Sequence, residues 1–351
     1  NATTNSLTNC DGLVVENLET TIEIWMINGK DKLKIVVVDK TTGILLSYFS
    51  PDGCPIINAD VGGDDEFSGL CSNFTRAATD NDIGGGRHSY HSNWEKVGLR
   101  PIDPPRQVCK SFTINDSGGE SNVQIDVECE SVASSGKVLF QQKISYSCFK
   151  NGVLKLNVSV TPCTSLNNVP SIARIGMCMV LDKSLYNIQY LGLGPHENYP
   201  DRKAAAEMGI WSTTPSQLGY HYIFPSENGN RSECKWISLA DKSGRGVCIV
   251  DSDNALGKGL NFSALLHSQK ELHGAKHTTD YPERIDGDSA IFVNLDHMIM
   301  GLGGDLSWKP CVYPEYQIFP DGNWNYSFSL VPISSSTNPA KIVKTDLVNS
   351  I

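Results

Sequence analysis

The feature that most constrains the fold is a repeated alternation of apolar and polar residues with a period of two. From 154 to 160 every second residue is apolar and the residues between are polar, and the segments 123–129 and 143–148 repeat the pattern. This period is typical of a β-strand with one buried and one solvated face, whereas a helix repeats every 3.6 residues or so. The pattern predicts an all-β protein in which Cys129 and Cys148 point inward.

Turn residues separate the alternating runs. Asn151 and Gly152 form the dipeptide that most strongly favours a two-residue hairpin turn. The runs 21–26 and 32–38 alternate around a second Asn-Gly pair, which predicts the same antiparallel arrangement near the N-terminus. Helix signals are sparse, and 202–208 is the best candidate among the few short helices that we expect.

The chain shows no internal repeat and no linker-like break in mid-sequence. We therefore expect one sandwich domain over 13–331, preceded by a polar N-terminal segment, 1–12, and followed by a C-terminal tail, 332–351.

Charge and hydropathy exclude two classes of partner. The 351 residues include 29 Lys and Arg against 39 Asp and Glu, for a net charge of −10, and no segment is basic enough to neutralise a row of phosphates. Nucleic acid is therefore not an expected partner. No run of about 18 apolar residues occurs, so membrane insertion is not expected either.

Cysteines and glycosylation motifs predict an exported protein. Eleven cysteines occur without the C-x-x-C pairs of a zinc site, a usage that favours disulfides in an oxidising compartment and leaves one thiol over. We expect secretion, with the N-terminus at or near a processing site. Seven N-x-S/T triplets are candidate N-glycosylation sites, with acceptors Asn1, Asn73, Asn115, Asn157, Asn230, Asn261 and Asn325.

Four segments are too specific to be generic sandwich loops. They read FTRAATDNDIG at 74–84, LGLGPHENYPDR at 191–202, FPSENG at 224–229 and GGDLSWKP at 303–310. In this order they resemble the C-terminal domain, or small chain, of the large bacterial-type β-galactosidases. The resemblance implies a large antiparallel β-supersandwich of the galactose-mutarotase-like kind.

The same resemblance implies that this chain has no β-galactosidase activity by itself. In that family the two catalytic carboxylates lie on a TIM barrel in another part of the polypeptide, as general acid/base and nucleophile. Nothing in this sequence resembles that barrel, so we expect activity only with a partner chain, and no cofactor or metal.

The resemblance also implies a candidate ligand site. Trp308 matches the tryptophan with which the family's small chain closes one side of the sugar pocket, because an aromatic face suits the C–H bonds of a pyranose. A buried core tryptophan is the alternative. Asp305 would either accept hydrogen bonds from sugar hydroxyls or cap the turn after Gly303 and Gly304. The family often has a second acidic residue at the position of Leu306, so this loop is partly altered. A family loop beside the active site corresponds to Asp80, Asn81 and Asp82.

Alternatives from the residues alone concern metals. The acids of 80–82 would suit calcium, although their spacing is not that of an EF-hand. His88 and His91 are three residues apart, which suits either a metal site or a solvated loop.

The remaining motif residues are expected to be structural, shaping the sandwich and its contact with the barrel, with Asp201 and Arg202 as buried partners of other polar groups. An acid/base alternative pairs His196 with Glu197, or His221 with Glu227. The predicted structural set comprises Arg76, Glu197, Asn198, Tyr199, Asp201, Arg202, Glu227 and Asn228.

Three classes of function follow. The first is a secreted, non-catalytic glycoprotein that binds a galactoside or another small ligand, alone or as a homo-oligomer. The second is an accessory small subunit that completes a β-galactosidase whose barrel is on a large-chain partner. The third is a storage, matrix or defence protein, or a carrier of an apolar small molecule.

Overall fold

Nineteen strands dominate the part of the chain that the computed structural model describes, which is residues 10–58, 69–116, 122–252, 258–306 and 308–342. In chain order they are β1 Gly12–Asn17, β2 Thr21–Asn28, β3 Asp31–Asp39, β4 Leu45–Phe49, β5 Pro55–Asn58, β6 Leu70–Asn73, β7 Arg106–Asp116, β8 Asn122–Val132, β9 Val138–Phe149, β10 Leu154–Pro162, β11 Arg174–Leu181, β12 Asn187–Gly194, β13 Glu207–Thr213, β14 Arg231–Cys234, β15 Trp236–Ala240, β16 Gly246–Asp251, β17 Leu260–Leu265, β18 Ile291–Ile299 and β19 Trp324–Ile333.

The strands form two antiparallel sheets. Within the described ranges, one sheet has ten strands in the order β1-β2-β3-β4-β5-β11-β18-β17-β14, with β6 paired to β11 and β4. The other has nine, in the order β13-β12-β15-β16-β19-β10-β9-β8-β7. The all-β antiparallel class predicted from the period of two is confirmed.

The two sheets bury their apolar faces in a shared core. On β10 the side chains of Leu154, Leu156, Val158 and Val160 are 0–3 % exposed, and on neighbouring strands Cys129 and Cys148 are buried as predicted. Burial of a Val or Leu side chain stabilises a fold by roughly 1.5–3 kcal/mol, so a row of four on one strand holds β10 in register.

The predicted helix over 202–208 is wrong. Tyr199 and Arg202 form a tight turn through reciprocal backbone hydrogen bonds, and the chain then enters β13, which pairs with β12. Five short α-helices are described instead, α1 Asp80–Ile83, α2 Tyr90–Val97, α3 Pro215–Leu218, α4 Gln269–Gly274 and α5 Pro339–Ile342.

Side-chain caps start the helices that matter for the site. Thr79 and Asp82 form a reciprocal capping box around α1, and Ser268 and Glu271 do the same for α4. Each box satisfies backbone N–H groups that a helix start leaves without partners. These motifs are short and lie between strands, so the period of two conceals them.

The strands extend from Gly12 to Ile333, while 1–9 and 343–351 lie outside the described residues; the predicted division at 12 and 331 stays a prediction. Among the described residues no helix has the length and apolar character that a membrane crossing requires.

All eleven cysteines are thiols in the structure, and eight of them are buried. Two pairs nevertheless face each other across neighbouring strands, Cys71 with Cys178 and Cys109 with Cys129. The Sγ atoms of Cys71 and Cys178 are 3.5 Å apart, and directly opposite residues have the Cα separation that a disulfide needs. The predicted disulfide network is not formed here, and disulfide bonding stays a prediction that these pairs fit best.

Two of the candidate glycosylation sites are buried. Asn73 is 2 % exposed, and its amide donates to Gln269 and Asn294 at 3.2 and 2.9 Å. Asn230 is 1 % exposed and donates to the backbone carbonyl of Asn198 at 2.6 Å. A glycan on either amide would displace these bonds and enter the core, so neither is an acceptor in the folded protein.

Three other candidates lie exposed on the nine-stranded sheet. Asn157 faces Ser145 on one side and Ser327 on the other, and Asn325 is two residues from Ser327 on the same strand face. Asn115 lies on β7 at the far side of the sheet. A shallow groove of about 500 Å³ runs along this polar face. Asn261 is half-buried, and Asn1 lies outside the described residues.

The burial pattern predicts which sites can carry sugar. In protein made through a secretory pathway, glycopeptide mapping should find sugar on Asn157 and Asn325 and none on Asn73 or Asn230, because only the first two amides reach solvent. A glycan on Asn73 or Asn230 in protein with an unchanged thermal midpoint would contradict the burial of these side chains.

Candidate functional site

The candidate site is a loop that exposes Trp308 above a rigid polar base. We call residues 300–306 and 308–312 the tryptophan loop and residues 79–86 the acidic turn. Three side chains from elsewhere in the chain bind consecutive backbone groups at the start of the loop, and they are Arg76, Asn81 and Asp201.

Arg76 is the deepest of these anchors. It follows β6 in a buried segment and is fully buried together with Asp82, which it binds through Nε and Nη2 at 3.0 and 2.6 Å. The remaining donors reach the carbonyl oxygens of Met300 and Gly301 at 2.7 and 3.1 Å. A planar guanidinium can make both sets of bonds at once, which a lysine could not.

Asn81 and Asp201 bind the next two residues of the loop. The Asn81 amide donates to the Leu302 carbonyl at 2.9 Å. The Asp201 carboxylate accepts the backbone N–H groups of Leu302 and Gly303 at 2.9 and 2.7 Å. Three carbonyl groups, of Met300, Gly301 and Leu302, and two N–H groups, of Leu302 and Gly303, are thus bound by side chains from other segments.

Two glycines allow the close approach of these segments. A Cβ on Gly85, which has φ +99°, would lie 2.9 Å from Pro310 Cδ and 3.2 Å from Lys309 Cα. A Cβ on Gly301 would lie 2.5 Å from the Asp201 carboxylate. The acidic turn therefore packs directly against the segment beside Trp308, as the resemblance implies.

Trp308 is 83 % exposed, so the alternative of a core tryptophan is wrong. Its neighbour in the loop, Asp305, accepts a hydrogen bond from the Tyr313 hydroxyl at 2.8 Å. Gly303 has φ +72°, a conformation that favours glycine and lets the loop turn after its anchored start. The loop thus presents one large aromatic face and one carboxylate to solvent.

The acidic turn contributes differently from what was expected. Asp82 is no ligand-binding residue, because both its oxygens are buried and bound to Arg76. Asn81 is half-buried and holds the tryptophan loop. Of the three expected ligand residues only Asp80 is exposed, at the first position of α1.

The Glu197–Arg202 motif positions the segment that carries Asp201. Glu197 accepts bonds from Arg202 and Tyr222, and from the backbone N–H of Gly229 at 2.8 Å. Arg202 itself is exposed, with its guanidinium over the Tyr199 ring at 5.3 Å. The expectation that Arg202 is buried is therefore wrong, because the Tyr199–Arg202 turn directs it outward.

Asn198 and Asn228 hold the backbone of their own loops and of segments beside them. Asn198 donates to the Leu193 carbonyl and accepts the Ser232 N–H, at 3.0 and 2.9 Å. Asn228 accepts the Tyr220 N–H at 3.0 Å and donates to the Ser226 carbonyl. Each asparagine side chain thus supplies hydrogen bonds to loop backbone groups that have no neighbouring strand to pair with.

Beneath the loops lies a buried cluster of charged groups. Glu227 pairs with Arg174 at 2.8 Å, and Arg174 Nε lies 3.8 Å from Asp296. Burial raises the pKa of Asp296 to about 7, although Arg174 opposes this. Burial, and then the charge of Glu227, raise the pKa of Tyr199 well above its usual range, which keeps this phenol neutral.

The acid/base pairs considered from the sequence are not assembled. Glu227 is committed to Arg174 and His221 is exposed, while Glu197 binds Arg202, Tyr222 and Gly229 rather than His196. His88 contacts Arg87, and His91 faces His273 at 5.2 Å. Among the described residues no group of three or more His, Cys, Asp or Glu converges as metal ligands would.

Sequence reasoning missed several residues that shape the site. Arg174 begins a strand whose eight residues are all buried. One charged residue in an otherwise apolar run was the signal in the sequence that could have indicated a buried ion pair there. Tyr222 and His273 carry no local signal, because their partners, Glu197 and the Ala78 amide, are distant in sequence.

The buried pair at the loop base predicts a stability difference. Arg76→Met should lower the free energy of unfolding by about 3–5 kcal/mol, because Asp82 would be left charged and buried without a partner. The control, Arg202→Met, removes an arginine whose side chain is 48 % exposed, and Glu197 keeps the Tyr222 and Gly229 donors, so it should cost less than about 1 kcal/mol. Urea unfolding of both variants measures this, and equal losses would contradict the anchoring role.

His273 predicts a pH dependence. Its Nδ1 accepts the Ala78 N–H at 3.2 Å, and burial, then His91, lower its pKa to about 4. The unfolded chain therefore binds a proton below about pH 6.5 that the folded chain does not, and stability falls from there toward pH 4. His273→Asn should remove about 1–2 kcal/mol of that fall after allowance for solvent screening. Equal urea-unfolding losses for both proteins would contradict this.

Comparison with known proteins agrees with the geometry. The family model of the β-galactosidase small chain matches residues 30–330. The β-galactosidase of Pseudoalteromonas haloplanktis is 34 % identical over 272 residues, covering 75 % of this chain and 24 % of that protein. That of Vibrio cholerae serotype O1 is 30 % identical over 324 residues, covering 89 % and 28 %.

Among solved structures, a galactose mutarotase-like protein from Lactobacillus casei ATCC 334 is similar with TM-score 0.42 and 12 % identity, covering 92 % of this chain and 100 % of that one. The chain spans about a quarter of the length of the two β-galactosidases. The family match covers most of the chain and includes all four motifs that build the tryptophan loop and its base. This chain therefore belongs to the β-galactosidase small chain family.

Proposed function

We propose that this chain is the small-chain part of a β-galactosidase and presents Trp308 to a galactoside held by a barrel-bearing catalytic part. The observation that carries the proposal is the 83 % exposure of Trp308 on a loop whose start is anchored by buried side chains. A large aromatic ring held in water by a rigid base indicates a contact that another molecule completes.

The chemistry of the loop suits a sugar. An indole face packs against the C–H bonds of a pyranose, and the Asp305 carboxylate can accept hydroxyl hydrogens beside it. The anchors at Met300–Gly303 support this use, because a loop whose start is already fixed loses less conformational entropy on binding.

The carboxylates around the loop support a non-catalytic role for this part alone. A retaining glycosidase needs one carboxyl as acid/base and a second as nucleophile, about 5–5.5 Å apart. Asp82 and Glu227 are bound to buried arginines, and Asp201 holds two backbone amides. We therefore assign hydrolysis to the three quarters of the relatives' length that this chain does not match.

An exposed apolar surface near the motifs supports docking of that catalytic part. β13 is an edge strand on which Met208 and Ile210 are about half exposed. Ile223, 88 % exposed, follows Tyr222, which contacts Glu197 close to where β12 ends. Edge strands normally carry charges or a cover, so these apolar side chains favour a partner.

A second candidate rests on the polar face of the nine-stranded sheet. Asn157 and Asn325 are exposed there in glycosylation motifs, which favours a secreted glycoprotein that binds a carbohydrate through Trp308 without a catalytic partner. This second candidate function includes the proposals that the protein is secreted and that it is glycosylated.

Hydrolysis by the complete assembly tests the first proposal. The chain is produced with the barrel-bearing polypeptide of its own source, or as one polypeptide where a single chain carries both. Trp308→Ala should raise KM for a nitrophenyl β-galactoside about tenfold through loss of the stacking contact. The control Phe319→Ala removes an exposed aromatic outside the loop and should leave KM unchanged.

Native mass spectrometry of the same preparations separates the two candidates. An assembly that Ile223→Ser weakens and Trp308→Ala leaves intact supports the small-chain role. A wild-type KM in Trp308→Ala would refute it. Isolation of this chain alone, with Trp308-dependent galactose binding, would instead support the secreted carbohydrate-binding protein.

A further inference from the structure

Two hydrogen bonds close the tryptophan loop across Trp308, apart from the anchors at its start. The Tyr313 hydroxyl donates to the Asp305 carboxylate at 2.8 Å. The Cys311 thiol donates to the Leu306 carbonyl at 2.9 Å. Each bond joins a residue before Trp308 to one after it, so the loop is held at its outer end as well as at its base.

Tyr313 is the fixed member of the first pair. Its neighbour Val312 is 5 % exposed and packs in the core, and the Val312 carbonyl accepts the Gln317 side-chain amide at 2.6 Å. The Tyr313 carbonyl accepts the Tyr316 N–H at 2.9 Å, and the Tyr316 carbonyl accepts the Gly301 N–H at 2.9 Å. The backbone on both sides of Tyr313 is therefore held by contacts that do not involve the exposed part of the loop.

Asp305 has no comparable support of its own. It follows Gly303 and Gly304, and a Cβ on Gly304 would meet no atom within 4 Å, so packing does not restrict the backbone there. The Asp305 side chain is exposed. Among the residues that the structure describes, Tyr313 is its hydrogen-bond partner. The orientation of this carboxylate therefore depends on the tyrosine.

The hydrogen bond also determines which oxygen of Asp305 faces a ligand. The bond itself, and then the charge of the carboxylate, raise the pKa of Tyr313, so the phenol stays protonated at neutral pH and donates. It donates to Oδ2, which leaves Oδ1 to accept from another molecule. A carboxylate accepts strongly from a hydroxyl group and repels an anion, so an oriented Oδ1 beside an indole ring suits a neutral sugar.

From these contacts we propose that Tyr313 is a positioning residue of the candidate site, which orients the Asp305 carboxylate to accept a ring hydroxyl of the galactoside that packs on Trp308. This role depends on the proposed function, in which Trp308 meets a galactoside. Tyr313 lies outside the four sequence motifs, and its contact with Asp305 is visible only in the folded loop. It acts through Asp305 and needs no contact with the sugar.

A double-mutant cycle in the active assembly tests this role. Tyr313→Phe removes only the hydroxyl and should raise KM for a nitrophenyl β-galactoside about fivefold with kcat unchanged, because the carboxylate loses its fixed orientation. In an Asp305→Ala background the same change should not raise KM further, whereas in a Trp308→Ala background it should raise KM by the same factor. The control Tyr220→Phe alters a tyrosine that is 61 % exposed and outside the loop, and should leave KM unchanged.

Two further measurements separate positioning from a general structural role. The thermal midpoint of Tyr313→Phe should equal that of the parent, because Tyr313 is 55 % exposed and its packing neighbours are unchanged. Nitrophenyl galactosides that each lack one ring hydroxyl locate the group that Asp305 binds. For one of them Tyr313→Phe should no longer raise KM, because the donor to the carboxylate is missing.

An unchanged KM in Tyr313→Phe would overturn the proposal. So would an equal rise in KM with and without the Asp305 carboxylate, or a lowered thermal midpoint accompanied by a fall in kcat. A raised KM in Trp308→Ala together with a wild-type KM in Tyr313→Phe overturns the role of Tyr313 alone. A wild-type KM in both variants overturns the proposed function as well.

Discussion

The ion pair between Arg76 and Asp82 is the interaction on which the candidate site depends. Both side chains are fully buried, so each neutralises a charge that the interior could not otherwise hold. The N–H groups of Arg76 that do not bind Asp82 donate to the carbonyls of Met300 and Gly301. One guanidinium therefore joins the acidic turn, the end of β18 and the start of the loop that carries Trp308.

Around this pair the loops are held mainly by side chains that act as backbone partners. Asp201, Asn81, Asn198 and Glu197 each bind main-chain groups of a segment distant in sequence. Loops over a sandwich have no ladder of their own, so polar side chains must satisfy them. Motifs rich in Asn, Asp and Glu are thus explained by loop construction first. Trp308 and Asp305 stay exposed to solvent.

The two sheets enclose both the apolar core and a polar cavity. Their apolar faces build the shared core, while the space between β14, β16, β17, β18 and β19 stays open as a polar cavity. That cavity and the tryptophan loop meet near Gly301, where Asp201 and Tyr316 both lie close to the glycine backbone.

The sequence by itself determined the all-β class, the inward cysteines of β8 and β9 and the family, because period two and long local motifs are properties of contiguous residues. It placed Trp308 and the acidic turn in one site through resemblance. Only the tertiary structure decided that Asp82 is an anchor, that Arg202 is exposed and that Asn73 and Asn230 are buried. It alone brought Tyr326 and His297 together. The physical reason is that burial and partner choice depend on contacts between segments far apart in the chain, which no local pattern records.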